Sequence, residues 1–163
     1  MIFRMMVTNT SPLINFGKQG RLDIICSNVI LIPEAVYIEI LRKESSPEVL
    51  IISKAIKDKT IIVEKIRIHS LLMSARIGQG EKEAITLAYK YKCNLIIDDD
   101  SARSYAALLK VEARGTLSVL LHAVKKKKIT KPEAKKLLEA MISERFYIST
   151  ELYREYLELL SKI

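Results

Sequence analysis

What the chain has little of narrows its function before any motif does. Its two cysteines, Cys26 and Cys93, stand far apart in apolar surroundings and fit no metal-binding spacing, which argues against a disulfide framework and for an intracellular, cytoplasmic setting. The two histidines, His69 and His122, are lone, and general acid–base work needs a positioned partner that neither shows. His122, in SVLLHAV, reads instead as a partly buried, satisfied side chain. Gly78 and Gly80 are too few to build a phosphate-cradling loop. Only two glutamines stand in an Ile-, Lys- and Glu-rich background, a balance that suits a thermophilic source because thermolabile amides are depleted there. No apolar run reaches the roughly 18 residues of a membrane span. The opening MIFRMMV interrupts its apolar run with Arg4 and has no small-residue cleavage site, so it is not a secretory signal. The expectation is a soluble protein without a membrane partner.

What is present points to a packed domain with a basic surface. At 163 residues and 49% hydrophobic content the chain can fill one sheet-and-helix interior, and two domains would be a stretch. Lys and Arg number 27 against 19 acids, giving a net charge of +8 and favouring a polyanionic partner such as a nucleic acid.

Strand-like and helix-like segments alternate. RMMVTN, VILI, TIIVEKI, NLIID and VEARG read as strands. SPLINFGK, RLDIICS, EAVYIEILRK, SPEVLIISKAIKDK, GEKEAITLAYKYK, SARSYAALLK and TLSVLLHAVKKKK read as helices, with Pro12 in an early turn that tolerates it. Alternation of this kind implies the α/β class, a parallel sheet covered on both faces. The core spans about residues 5–128. From about 130 to 163 the pattern is helical only, as an appendage on the one domain: Thr130 and Glu133 stand at capping-box spacing, and Leu152, Tyr156, Leu159 and Ile163 form an apolar stripe. That stripe packs on its own domain or forms a subunit interface, which leaves a homodimer open.

Ligands of an open parallel sheet gather beyond the carboxyl ends of its strands. Asn9 and the triplet Asp98-Asp99-Asp100 fall there, and a triplet of acids repels itself unless cations relieve it. Glu81 shares a helical face with Ala84, Ile85 and Ala88, whereas Glu83 falls about 200° away, so Glu81 points toward the sheet. Glu39 lies at the margin of the apolar face of its helix. Each acid also has a structural reading: Glu39 paired with Lys43, Glu81 at a helix N-terminus, and Asp100 ahead of Asp99 as the cap of a helix starting at Ser101. Separately they are ambiguous, but together they suggest one carboxylate cluster. The lysines 125–128 read as a solvated turn, with phosphate contact as the alternative.

NTSPLI, IPEAVYIEIL, GQGEKEAITLA, LIIDDDSAR and RGTLSVLLHAVKKKKI, in this order over roughly residues 5–155, resemble the PIN-domain superfamily, in its branch of small prokaryotic proteins. The resemblance implies a three-layer α/β/α sandwich with a mostly parallel sheet of about five strands and extra C-terminal helices. It also implies a Mg²⁺- or Mn²⁺-dependent ribonuclease acting on single-stranded RNA, often the toxin partnered by a small antitoxin protein. Carried over by position, the family's acids fall on Asn9, Glu39, Glu81, and Asp98 or Asp99, with Asp99 favoured. Glu39, Glu81 and Asp99 are then the catalytic set, Asn9 and Asp98 further metal ligands, and Ser11 and Thr116 supporting hydroxyls. Asn9 is the departure. It keeps an oxygen but removes a charge worth roughly 4 kcal/mol at 4 Å and an effective dielectric near 20. Three readings follow: a nuclease whose remaining acids suffice, a scaffold that binds RNA or a protein without cutting, or a chain altered to silence a toxic enzyme.

Overall fold

A computed structural model describes residues 5–163; Arg4 and the rest of the opening run before it lie outside the described residues. β1 (Met5–Thr8) leads into α1 (Thr10–Lys18), and β2 (Val29–Pro33) into α2 (Glu34–Leu41) and α3 (Pro47–Lys57). β3 (Ile61–Glu64) precedes α4 (Gln79–Tyr91), β4 (Asn94–Ile96) precedes α5 (Asp100–Leu108), and β5 (Ala113–Arg114) precedes α6 (Thr116–Lys125). α7 (Lys131–Ser143) and α8 (Thr150–Ser161) close the chain. The five strands form one all-parallel sheet in the order β3-β2-β1-β4-β5.

The alternation of side chains along each strand explains why the strands are apolar throughout. Ile30, Ile32 and Ile96 enter a core layer shared with Leu13 and Phe16 of α1, Leu120 of α6 and Leu138 of α7. Their neighbours Leu31 and Leu95, with Val7, enter a second layer against Ile85 and Leu87 of α4 and Ala102 and Ala106 of α5. With side chains of period two going to opposite faces, a strand buried on both has no place for a polar residue until it ends. The expected α/β/α sandwich is therefore present.

The differences from expectation are local. RLDIICS, read as a helix, forms only a 3-10 turn at Leu22–Ile24, and VEARG contributes only two strand residues. Another 3-10 turn, Ser70–Leu72, is capped by His69, whose Nδ1 accepts from the Leu71 N–H at 3.1 Å while its ring stands edge-on to Tyr89. His122, expected to be partly buried, is exposed near the end of α6.

In α7 the capping box forms as the spacing requires, with the Thr130 N–H donating to Glu133 at 2.7 Å and the Glu133 N–H to Thr130 Oγ1 at 3.3 Å. The stripe on α8 is rotated from the one expected. Tyr156 and Leu160 are buried, with Tyr153 and Leu157 partly so, whereas Leu152 and Leu159 are 40% and 43% exposed. α6 and α7, which α8 packs against, select the Tyr156–Leu160 face, so the helix packs on its own chain.

Candidate functional site

The order of the strands reverses between β1 and β4, and a crevice outside their carboxyl ends is where an open parallel sheet binds ligands. Thr8 and Ile96 are in register, and the Asn9 N–H donates to the Ile96 carbonyl at 3.0 Å, extending the ladder by one bond. Asn9 therefore stands level with Ile97, one residue before Asp98, where the two adjacent strands end.

Asn9 occupies the N-cap of α1 but makes no capping bond. An asparagine at this position ordinarily turns its side-chain oxygen back onto the helix's first N–H groups. Here the residue is only 9% exposed, and Oδ1 is buried with no hydrogen-bond partner. A buried orphan acceptor costs about 1–3 kcal/mol and requires a reason.

Asp98 is held on three sides. Its Oδ1 accepts from the Thr116 N–H at 2.7 Å, and its Oδ2 accepts from the hydroxyls of Thr116 at 2.8 Å and Ser11 at 3.5 Å. Burial pushes its pKa above the usual carboxylate range against the opposing pull of these donors and of Arg103. Ser11 and Thr116, expected as supporting hydroxyls, thus meet on one acid. Asp99 is exposed, and its Oδ1 accepts from the Ala102 N–H at 2.8 Å. The cap of α5 is therefore Asp99, not Asp100, because the helix begins one residue earlier than Ser101. Asp98 is the inner acid of the pair and Asp99 the outer.

Glu39 does not pair with Lys43. Its Oε2 accepts from the Thr10 hydroxyl, a contact across 29 residues. Its carboxylate also rests on Gly80: a Cβ there would stand 2.5 Å from Glu39 Oε1. Glu81, one residue on, takes the Gly78 N–H at 2.8 Å. Burial raises its pKa, and after the opposing bond from Gly78, the negative charges of Asp99 and Glu39 raise it further. Glu39 of α2 thus rests against the residue before Glu81 of α4, and the charge of Asp99 at the β4–α5 junction also bears on Glu81. Glu83, expected on the far side of its helix, instead takes the Ala35 N–H at 3.0 Å and ties α4 to the start of α2.

Thr10, Arg103 and Gly115 carry no signal of their own in the sequence reading, and Gly80 enters it only as a glycine that builds no phosphate loop. Arg103 donates to the Ile97 carbonyl at 3.3 Å and to Asp100. Gly115 lets α6 approach: a Cβ there would meet both Arg103 Nη1 and Asp98 Oδ1 at 2.9 Å. The available signal was adjacency, since Thr10 follows Asn9, Gly80 precedes Glu81 and Gly115 precedes Thr116.

Among the described residues no three His, Cys, Asp or Glu side chains converge into a set able to hold an ion by themselves. Each carboxylate is turned onto a donor of its own. The donors at the rim are nevertheless all oxygens, with the orphan Asn9 Oδ1 among them, and hard oxygen ligands suit a hard divalent cation.

The sequence between residues 5 and 162 matches a family model described as a PIN domain. No curated protein matches it. Among solved structures, a PilT N-terminus domain protein from the hyperthermophilic archaeon Sulfolobus solfataricus is similar, with a TM-score of 0.55 at 18% identity, covering 74% of this chain and 93% of that one. At that identity the likeness speaks for the fold alone. With the family match spanning nearly the whole sequence and the five-stranded parallel sheet in place, the chain belongs to the PIN-domain family and carries its nuclease-like fold.

Proposed function

We propose that this protein is a divalent-metal-dependent endonuclease of single-stranded RNA, weakened by the neutral residue at position 9. The observation that carries the reading is the orphan Asn9 Oδ1, buried at the N-cap of α1, whose next two residues, Thr10 and Ser11, hydrogen-bond Glu39 and Asp98. PIN domains generally use a divalent metal. Here Asn9, Glu39, Glu81, Asp98 and Asp99 would hold Mg²⁺ or Mn²⁺, whose chemistry is to make a bound water nucleophilic and to offset charge on the phosphodiester.

The chain's own residues supply the rest. Thr116 and Ser11 fix the Asp98 carboxylate with three bonds, so its oxygens are oriented before any ligand arrives. Thr10 and the bare backbone at Gly80 do the same for Glu39. The negative charge of Asp99 bears on Glu81, a repulsion that a bound cation would relieve. The net charge of +8 suits an RNA backbone, so affinity should fall steeply with salt.

A second reading, a PIN scaffold that binds RNA or a protein without cutting, is favoured by the missing charge at Asn9 and by the way each acid is satisfied locally. Incubation of labelled single-stranded RNA with Mn²⁺ separates the two. Under the first reading the protein cuts, chelation stops it, and Glu81→Ala abolishes cleavage. Under the second nothing is cut and Glu81→Ala leaves RNA binding intact. We extend the first reading to the toxin of a toxin–antitoxin pair. A neighbouring gene for a small DNA-binding protein whose co-expression abolishes cleavage would support it, and cleavage unaffected by that protein would remove it.

A further inference from the structure

α6 starts at the acid rim and ends at a lysine-rich turn. Its nine-residue advance from Thr116 to Lys125, at about 1.5 Å per residue, separates the two by about 14 Å along the helix. The turn into α7 frames an open cavity of about 510 Å³, lined by Lys125, Lys127, Lys128 and Lys131 over apolar side chains that include Val124 and Ile129. Lys127 takes the left-handed backbone conformation, with φ 56°, which folds the turn tightly enough to bring the lysines to one concavity.

None of these four lysines enters a salt bridge among the described residues. Lys131 donates to the Ser161 carbonyl at 3.2 Å. The one acid in the lining, Glu133, is turned onto the Thr130 N–H as the reciprocal half of the capping box, and that backbone bond holds its carboxyl below the usual range. One turn back, desolvation against its neighbours lowers the pKa of His122, and the positive charges of Lys126, Lys128, Arg114 and Lys125 lower it further. Clustered ammonium groups that outnumber the acidic side chain beside them attract polyanions, and lysines bind phosphates as point charges without demanding one geometry.

We propose that the cavity at Lys125–Lys131 is a second binding site that takes backbone phosphates of a single-stranded RNA, away from the acid rim. The proposal rests on the ribonuclease reading for its ligand, and on the cavity and its unpaired lysines for its chemistry. An RNA held there would be gripped at one end of α6 while another segment of the same strand reaches the acids at the other. Affinity would then come mainly from the lysines and chemistry from the rim.

The test is fluorescence anisotropy of a labelled oligouridylate titrated with the protein at several salt concentrations. It compares the wild type, the triple variant Lys125→Gln/Lys127→Gln/Lys128→Gln, and a control, Lys54→Gln/Lys57→Gln, on α3. Single strands lose about 0.7 in the slope of log K against log salt per neutralised phosphate, so the triple variant should lose about 2 and the control less than 1. Thermal melting checks that each variant is folded. A folded triple variant with wild-type affinity and slope would overturn the proposal, whether or not the protein cleaves RNA. Titration with inorganic tripolyphosphate separates the sources of phosphate. If the wild type binds tripolyphosphate through these lysines but binds no RNA, the RNA assignment is wrong and the ribonuclease reading falls with it. If it binds neither, the cavity is only a solvated turn.

Discussion

The two ends of α6 show opposite ways of managing charge. At its first turn Asp98 is desolvated and held by the backbone and hydroxyl of Thr116 and by Ser11, so its orientation is set by the fold. At its last turn the lysines are exposed and unpaired, so water sets their positions. The first arrangement costs folding energy and gives fixed geometry; the second costs little and gives a diffuse attractive field. A fixed geometry suits the making and breaking of bonds, and a diffuse field suits retention of a flexible polymer.

The contrast is broken most strongly at Asp98. Asp98→Ala strands the buried Thr116 N–H and hydroxyl, a loss of about 2 kcal/mol. For a chain of this size that is a fall of about 4–8 °C in melting temperature, readable by calorimetry. A variant that melts with the wild type would mean that Asp98 does not organise the rim. The same class of change at the lysine turn should move stability by less than about 0.5 kcal/mol, as for exposed sites generally.

A smaller and more selective perturbation is Gly80→Ala. The new methyl would stand 2.5 Å from Glu39 Oε1, so the flexible carboxylate must move and release Thr10. The expected outcome is a loss of about 1 kcal/mol for the hydrogen bond, with a larger proportional loss of Mn²⁺ affinity. Equal metal affinity in the two proteins would show that Glu39 is not a ligand.

The smallest effect concerns pH. Glu81 and Asp98 both have pKa values raised by burial, so in the metal-free protein their protons are held above the usual carboxylate range. A raised folded pKa means that the free protein gives up stability as pH rises through that value, and that ligation, which needs the charged form, gains over the same window. Mn²⁺ affinity should therefore rise over a pH window displaced upward from that of ordinary carboxylates. A pH profile of Mn²⁺ affinity left unchanged by Glu81→Gln and by Asp98→Asn would mean that neither acid binds the ion.

Local pattern made the elements of the fold legible, and long-range contact decided what was not. Thr130 and Glu133 could be read as a capping box because both partners lie within one turn. The cap at β4–α5 slipped from Asp100 to Asp99 because three consecutive acids offer three registers and only the packed helix selects one. On α8 two helical stripes share Tyr156, and the choice between Leu159 and Leu160 belongs to α6 and α7. Glu39 had a plausible neighbour in Lys43 but found Thr10, 29 residues away. The acids themselves were legible because each interrupts an apolar segment. Their mutual arrangement was not, because it depends on which strands lie side by side.

On the proposed function, Asn9 leaves a metal site short of one charge. Calorimetric titration of Mn²⁺ into the protein and into its Asn9→Asp form measures that deficit. Restoring the carboxylate should tighten binding by about ten- to a thousandfold, the range set by one added charge near the ion at an effective dielectric of 20 or more. Equal affinities, or no binding by either form, would contradict the claim and leave the orphan oxygen of Asn9 without a role in metal binding.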